Sequence, residues 1–438
     1  MIPVCTVREM READAAAIAM VGSETLIARA GYAVGRVVAS YAGYTYGLRV
    51  VVILGSGNNA EDGRVAGRYL SERGAHVDYV TLPCEDIVLA DVVIDAVVGL
   101  GASRPVMMPR VPDDALVVAV DVPSGVDCDS GEVHGEVLRA DVTVALGALK
   151  FAHLLEPAAG YCGDVLLDTL DIESSPTTYV IEDSDLEGVI ATQRDDHKWQ
   201  HALFVAAGST LMPGAAALVC RAAAVCGASM IRLASASPLS ADHPLPDEVV
   251  RAEGPAIDER CAAVVVGPGV GRDDEALAFA REVIRSARVP LVIDADALDR
   301  DHLVARHVGV PCVVTPHAGE MARLIEGGTS SPLSDTRTLA RECDVVALRK
   351  GPLTIVADPS GATRMIISGT PALASAGTGD VLSGVIGALL ARGLQPLEAA
   401  ALGAHLHGVA GQLLDPYATA SEMDHALRQV LAELHHAS

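Results

Sequence analysis

The sequence predicts an α/β protein of two domains, each built on a mainly parallel sheet flanked by helices. Three observations carry this expectation. From Arg49 to about Leu170, β-branched runs alternate with helical or turn segments, which is the rhythm of a parallel sheet. The rhythm breaks at DIESSPTTYVIEDSDLEG, a polar and acidic stretch, and then restarts. That break divides the chain near residue 175, into 1–174 and 175–438.

Strands of the first half are read at RVVVILG, HVDYVTL, DVVIDAVVG, LVVAVDV, ADVTVAL and GDVLLDT. Those of the second half fall at ALFVAAG, SMIRLAS, AAVVVGPG, PLVIDAD, PCVVTPH and DVVALRKG, and LTIVADPSGATRMIIS reads as a hairpin. Val381, Leu382, Val385, Ile386, Leu389 and Leu390 recur at helical spacing, and Gly393 supplies a stop. Asp380 therefore sits in the first turn of a helix. The tail HALRQVLAELHHAS reads as a surface helix.

A hydrophobic fraction of 50% with only 3% aromatic residues implies cores of Ala, Val and Leu. The net charge of −25 argues against nucleic acid or an anionic membrane as partner. An anionic cofactor would then need local dipoles or a cation. No apolar stretch reaches the roughly 18 residues of a membrane-spanning helix. MIPVCTVREMREADAAAIAM lacks the basic start and unbroken apolar run of a signal peptide. Nine cysteines without a CxxC pair read as small core residues in a reducing compartment. A cytoplasmic protein is expected.

In the first half, VVVILGSGNNA carries GxGxxA at Gly55, Gly57 and Ala60, with Asp78 in the next strand. That is the dinucleotide fingerprint, so a nicotinamide-dependent oxidoreductase is one reading. Asn58, Asn59 and Asp62 exceed what a pyrophosphate turn requires. They suit a cation, or hydrogen bonds to a sugar or amide. Later strand ends supply Asp95 followed by small residues from Gly99 to Pro105, and then Asp121 with Ser124. Ligands of open α/β sheets gather at such ends. Asn59, Asp95 and Ser124 form a hard-cation set, which leaves Asp121 to move protons. Lys150 either contacts an anionic group or lies on the surface.

In the second half, Gly208 and Gly214 surround a strand-to-helix turn, and Gly267, Gly269 and Gly271 mark another strand end. His317 stands just ahead of a helix starting near Glu320. Lys350 and Gly351 fall where an ammonium and backbone N–H groups would meet phosphates. Gly377 and Gly379 remove side chains at the positive end of the helix that carries Asp380, which makes an anion cradle. A carboxylate inside such a cradle is placed to take a hydroxyl proton as that oxygen attacks phosphorus. His405 and His407 read as packing residues on opposite sides of one helix.

GSGNNAEDG, IDAVVGLG, VDVPSGVD and RADVTVALGALK resemble the NAD(P)H-hydrate epimerase domain. The downstream half, with TPHAGEMARL and AGTGD, resembles the ADP/ATP-dependent NAD(P)H-hydrate dehydratases of the ribokinase-like superfamily. The resemblance implies an N-terminal Rossmann-like three-layer sandwich and a C-terminal ribokinase-like α/β/α domain. It implies interconversion of R and S NAD(P)HX by the first and ADP- or ATP-driven dehydration of the S form by the second. Substrate contacts are implied for Asn58, Asn59, Ala60, Glu61 and Asp62, for Gly99, Leu100, Gly101, Ala102, Ser103, Arg104 and Pro105, and for Asp121. Potassium is implied at Asn59, Asp95 and Ser124. In the second half, Gly214, Gly269, His317 and Asp380 would face the hydrated nicotinamide, with Asp380 as base. Lys350, Gly351, Pro352, Leu353, Thr354 and Gly379 would hold the nucleotide. Magnesium beside the nucleotide and a homo-oligomer complete the expectation.

Several positions depart from the family pattern. Ala60 and Glu61 stand where the family loop has two glycines, adding bulk and charge beside the expected dinucleotide. Ala376 replaces one glycine of a pair, and Thr370 replaces the Asn of an Asn-Pro. A rival reading is a ribokinase-like small-molecule kinase fused to a non-catalytic nucleotide-binding domain. It shares AGTGD but leaves TPHAGEMARL beside an epimerase-like half unexplained.

Overall fold

The computed structural model describes residues 1–101, 105–189, 197–240, 245–325 and 331–437. Ala102, Ser103 and Arg104, expected at the first site, lie outside the described residues. The chain forms two compact units, Ile2–Thr178 and Tyr179–Ser438.

The first unit is organised by a parallel six-stranded sheet. Its order is Asp164–Asp168, Val142–Leu146, Leu116–Val120, Val92–Ala96, Arg49–Leu54, His76–Thr81. Inner strands such as VVIDA and VTVAL are buried at every residue, as expected of strands covered on both faces. The order reverses between Arg49–Leu54 and Val92–Ala96, which opens a crevice at their carboxyl ends. Helices Val7–Val21, Ser23–Ala42 and Asn58–Ser71 cover one face, sharing a core with Val50, Val52, Ile94 and Val118. Irregular chain covers the other, where Ile53 and Val93 pack against Ala90, Met108 and Ala115. Pro83, Pro105, Pro109 and Pro112 punctuate those connections and disfavour helix there.

In the second unit the parallel strands run Val249–Arg251, Met230–Ala234, Ala202–Ala206, Ala263–Val266, Leu291–Ile293, Cys312–Val314, Val346–Arg349. The antiparallel hairpin Thr354–Ala357 and Thr363–Ile366 extends them. Helices Pro213–Val225, Thr378–Ala391, Pro396–Gln412 and Met423–Ala437 pack on one face. Asp274–Ser286, Ala318–Leu324 and Pro332–Cys343 pack on the other. Met423–Ala437, read from sequence as a surface helix, buries Met423, Ala426, Leu427 and Val430 in the core.

Thr378–Ala391 is buried at every residue from Val381 to its end. It fits because Gly384 lies against the backbone of Val219, and Gly387 against the side chain of Val265. A side chain at either glycine would collide. Among the described residues no helix is long and apolar enough to cross a membrane. All nine cysteines are free, and seven are buried.

Candidate functional site

The crevice of the first unit is a cavity of about 510 Å³ lined by Asn58, Asn59, Asp62, Gly99, Leu100, Gly101, Asp121 and Lys150. NNAEDG is not a loop: Asn58 opens a helix whose cap, Gly57, supplies no side chain. Its first-turn N–H groups therefore face the crevice with the positive end of the dipole. Within that turn, Ala60 is buried in the core, while Glu61 is exposed and pairs with Arg64 at 3.4 Å. Neither side chain lines the cavity. The expectation that both would crowd a ligand is therefore corrected, because helical geometry turns them away from the crevice. Pro105 is exposed and outside the lining, and Asp78 is exposed on the edge strand.

Asp95 and Ser124 meet directly. Ser124 donates through Oγ to Asp95 Oδ1 at 2.5 Å and through its backbone N–H to Oδ2 at 2.7 Å. Asn59 donates from Nδ2 to the Val120 carbonyl at 2.9 Å, and its amide lies against Gly99. Asp95 is only 1% exposed, and among the described residues no cationic side chain pairs with it. Burial pushes its carboxyl above the usual range, against the Ser124 and Val97 hydrogen bonds. A buried carboxylate among amide, hydroxyl and carbonyl oxygens fits a monovalent cation.

Asp121 and Lys150 form a buried ion pair, and Lys150 Nζ also donates to the Leu146 carbonyl at 2.6 Å. Lys150 is therefore not a surface residue. His153 accepts from the Lys150 N–H at 3.0 Å and approaches the Asp121 carbonyl at 2.7 Å, and burial pushes it down to about 4. Asp121 has φ 69°, and Leu170, another residue of the cavity lining, has φ 52°, a conformation uncommon outside glycine. Asp62 is pushed up to about 8 by burial, then by the charges of Asp121, Asp14 and Glu61. Asp14, from Val7–Val21, also lines the cavity. No motif marks it, and sequence reading missed it.

The second unit has a cavity of about 370 Å³ lined by Lys350, Gly351, Pro352, Thr354, Thr370, Pro371, Thr378, Gly379 and His407, but not Leu353. Gly377, φ 95°, caps Thr378–Ala391 without a side chain, and Ala376 is exposed. Lys350 Nζ lies 3.0 Å from Asp294 Oδ1 and 4.0 Å from Glu320 Oε2. Asp294 Oδ2 accepts from Ser383 Oγ at 2.6 Å. Burial resists the Lys350 charge, but Asp294 and Glu320 outweigh it and raise its pKa. Asp380 is pushed up to about 7, by burial first and then by Asp294, with Lys350 opposing. His407 is pushed down to about 4 by burial. Asp294 was legible only as the end of the strand PLVIDAD.

His317 caps Ala318–Leu324. Its Nδ1 accepts from Gly319 and Glu320 N–H, and Nε2 lies 3.4 Å from Glu320 Oε1. A chain of polar contacts thus runs His317, Glu320, Lys350, Asp294, Ser383. Gly269, φ 60°, packs on Ala215 and Met212 beside Gly214, where the strand order reverses between Ala202–Ala206 and Ala263–Val266. Gly214, Gly269, His317 and Asp380 do not line the cavity that holds Lys350, although Thr378 and Gly379, the residues just before Asp380, do.

Two families match this division. One, described as NAD(P)H-hydrate dehydratase, covers residues 203–431, and the other, described as YjeF-related protein N-terminus, covers 23–88 and 83–152. The chain is 35% identical over 90% of its length, and 90% of the relative's, to the bifunctional NAD(P)H-hydrate repair enzyme Nnr of Mycobacterium tuberculosis. It belongs to the bifunctional NAD(P)H-hydrate repair enzymes. The Mycobacterium leprae member of this family is 34% identical over 98% of this chain and 99% of its own. A ribokinase-like superfamily protein of Enterococcus faecalis is 21% identical, covering 59% of this chain and 97% of its own, with a TM-score of 0.53. It shares the fold of the second unit.

Proposed function

We propose that the second unit dehydrates S-NADHX or S-NADPHX with ADP or ATP, and that the first interconverts the R and S epimers. The observation that carries the dehydratase reading is Asp380, a carboxyl tuned to about 7 in the first turn of a helix whose N-terminus is capped by a bare glycine. A base near the working pH is half available and still strong enough to take a proton. Asp380 accepts the ring hydroxyl's proton as that oxygen attacks the terminal phosphorus. Thr378, Gly379 and Asp380 N–H groups and Lys350 stabilise the charge gathering on the phosphoryl oxygens. That attack forms the ring O–P bond and breaks the bond from the terminal phosphorus to the nucleotide's bridging oxygen, so AMP or ADP leaves. The ring C–O bond then breaks, phosphate departs with its electron pair, and loss of a neighbouring ring proton restores the dihydropyridine.

Among the described residues no group of three or more His, Cys, Asp or Glu side chains is placed to hold a metal. Magnesium, if used, would ride on the nucleotide phosphates, as it commonly does. In the first unit, Asn59, Asp95 and Ser124 would hold potassium, which would supply fixed positive charge at the crevice. Asp121 moves the substrate's hydroxyl proton, and Asp62, protonated around neutrality, donates to the ring. A homo-oligomer in the cytoplasm remains part of this proposal. The test incubates the full chain with S-NADHX and ADP. Appearance of NADH absorbance with equimolar AMP supports it, and AMP without NADH would instead indicate a kinase acting on another hydroxyl.

A further inference from the structure

Asp294 lies outside every motif, yet its carboxylate joins two separate elements of the second unit. It follows Leu291–Ile293 and is 1% exposed, so it cannot touch substrate or nucleotide. Its backbone is held on both sides: the N–H donates to Val266 at 3.0 Å, and its carbonyl accepts from Ala297 at 3.2 Å. Gly267 leaves room for that carbonyl where any side chain would collide. Ala295, the next residue, has φ 52°, a conformation kept only where surroundings enforce it.

The carboxylate has two principal partners, with the Thr315 hydroxyl also favouring its charged form. Oδ1 receives Lys350 Nζ at 3.0 Å, and Oδ2 receives Ser383 Oγ at 2.6 Å. Ser383 stands three residues after Asp380 on the same helix, and Lys350 Nζ lies 3.5 Å from the position a Gly379 side chain would take. One buried group therefore sets the ammonium of the nucleotide cavity against the helix that carries the base.

Resting on the dehydratase reading, we propose that Asp294 is a positioning residue for phosphoryl transfer, fixing Lys350 and Asp380 in register with each other. Misplacement of such groups by about 1 Å costs on the order of 100-fold in rate. Asp294 also sets the charge that Asp380 feels. The groups acting on Asp380 are Asp294 and Asp296, which raise it, and Lys350, which lowers it. Asp296 is engaged by Arg272 at 2.9 Å, Glu320 by His317, and His407 is neutral near pH 7. Removing the Asp294 charge therefore lowers the Asp380 pKa.

The test uses the full chain with Asp294→Asn. ADP affinity by calorimetry should fall about 10-fold or more, and kcat on S-NADHX on the order of 100-fold, with KM for the hydrate unchanged. The acidic limb of kcat against pH should move to lower pH. The double variant Asp294→Asn with Lys350→Met should bind ADP no worse than Lys350→Met alone, because the first change acts through the second. Unchanged ADP affinity and an unmoved limb, or additive losses, would overturn the proposal. Should Asp294→Asn fail to fold, Ser383→Ala decides: it cuts the tether without removing a charge, so kcat should fall while ADP affinity holds, and wild-type kcat would overturn it. If the wild type forms no NADH at all, the dehydratase reading fails, yet calorimetry still reports whether Asp294 governs ADP binding through Lys350.

Discussion

Ser124 grips Asp95 twice, by hydroxyl at 2.5 Å and by backbone N–H at 2.7 Å, and among the described residues no cationic side chain shares the buried carboxylate. Because burial raises its pKa, Asp95 weakens the unit as pH rises from the unfolded carboxyl value, unless a cation offsets the charge. Potassium should therefore raise the melting temperature of the wild type at pH 8 and leave Asp95→Asn unmoved. The same variant should lose at least about 10-fold in epimerisation while keeping dehydration of the S epimer. Equal loss of both activities with the fold intact would contradict the division into two sites.

Asp380→Asn keeps the size of the side chain but cannot accept a proton. Dehydration should fall by roughly 100 to 10,000-fold. In the wild type, kcat should rise with pH through about 7, the value to which burial and Asp294 push Asp380, and that limb should vanish in the variant. A raised carboxyl pKa costs stability once pH climbs from the unfolded value through the folded one. Asp380→Asn should accordingly melt higher than wild type at pH 8 and equally at pH 3. Persistence of the limb in the variant would assign it to another group.

Lys150 and Asp121 are both buried and form an ion pair, with Asp14 a second carboxylate that feels the Lys150 charge. Truncation of Lys150 to Ala strands a carboxylate, at a cost of roughly 3–5 kcal/mol. Denaturant unfolding of the full chain should show the first unit melting early, with NADH formation from the S epimer intact. A loss under about 1 kcal/mol would mean that water reaches Asp121.

Ala60 and Glu61 invite the opposite prediction from the one their chemistry suggests in sequence. Glu61 faces solvent and Arg64, so Glu61→Gly should leave turnover of the R epimer within about two-fold and cost up to about 1 kcal/mol of helix propensity. Large activation by the glycine pair would show that the turn unwinds around the dinucleotide.

The strand pattern was legible because covered parallel strands are continuous apolar runs, and RVVVIL and VVIDA have no competing helical period. Asp380 could be placed in a first turn for the same reason: its helix is apolar on all sides and capped by glycine. Orientation within a turn was not legible. A tripeptide such as Ala60, Glu61, Asp62 sends three side chains in three directions, and only Asp62 reaches the cavity. Partners distant in sequence stayed hidden too, since nothing in PLVIDAD announces a lysine 56 residues later.

The helix Thr378–Ala391 leaves its tight seat no slack, with Gly384 and Gly387 touching neighbours on two sides. The helix proposed to carry the base is thus also the unit's keystone, buried from Val381 to its end. Directed evolution for heat tolerance should find residues 381–391 almost immutable. Useful variation should instead accumulate at the rim, around Pro352 and Pro371, both exposed at the cavity mouth, where a change reshapes which nucleotide enters without disturbing the scaffold behind it.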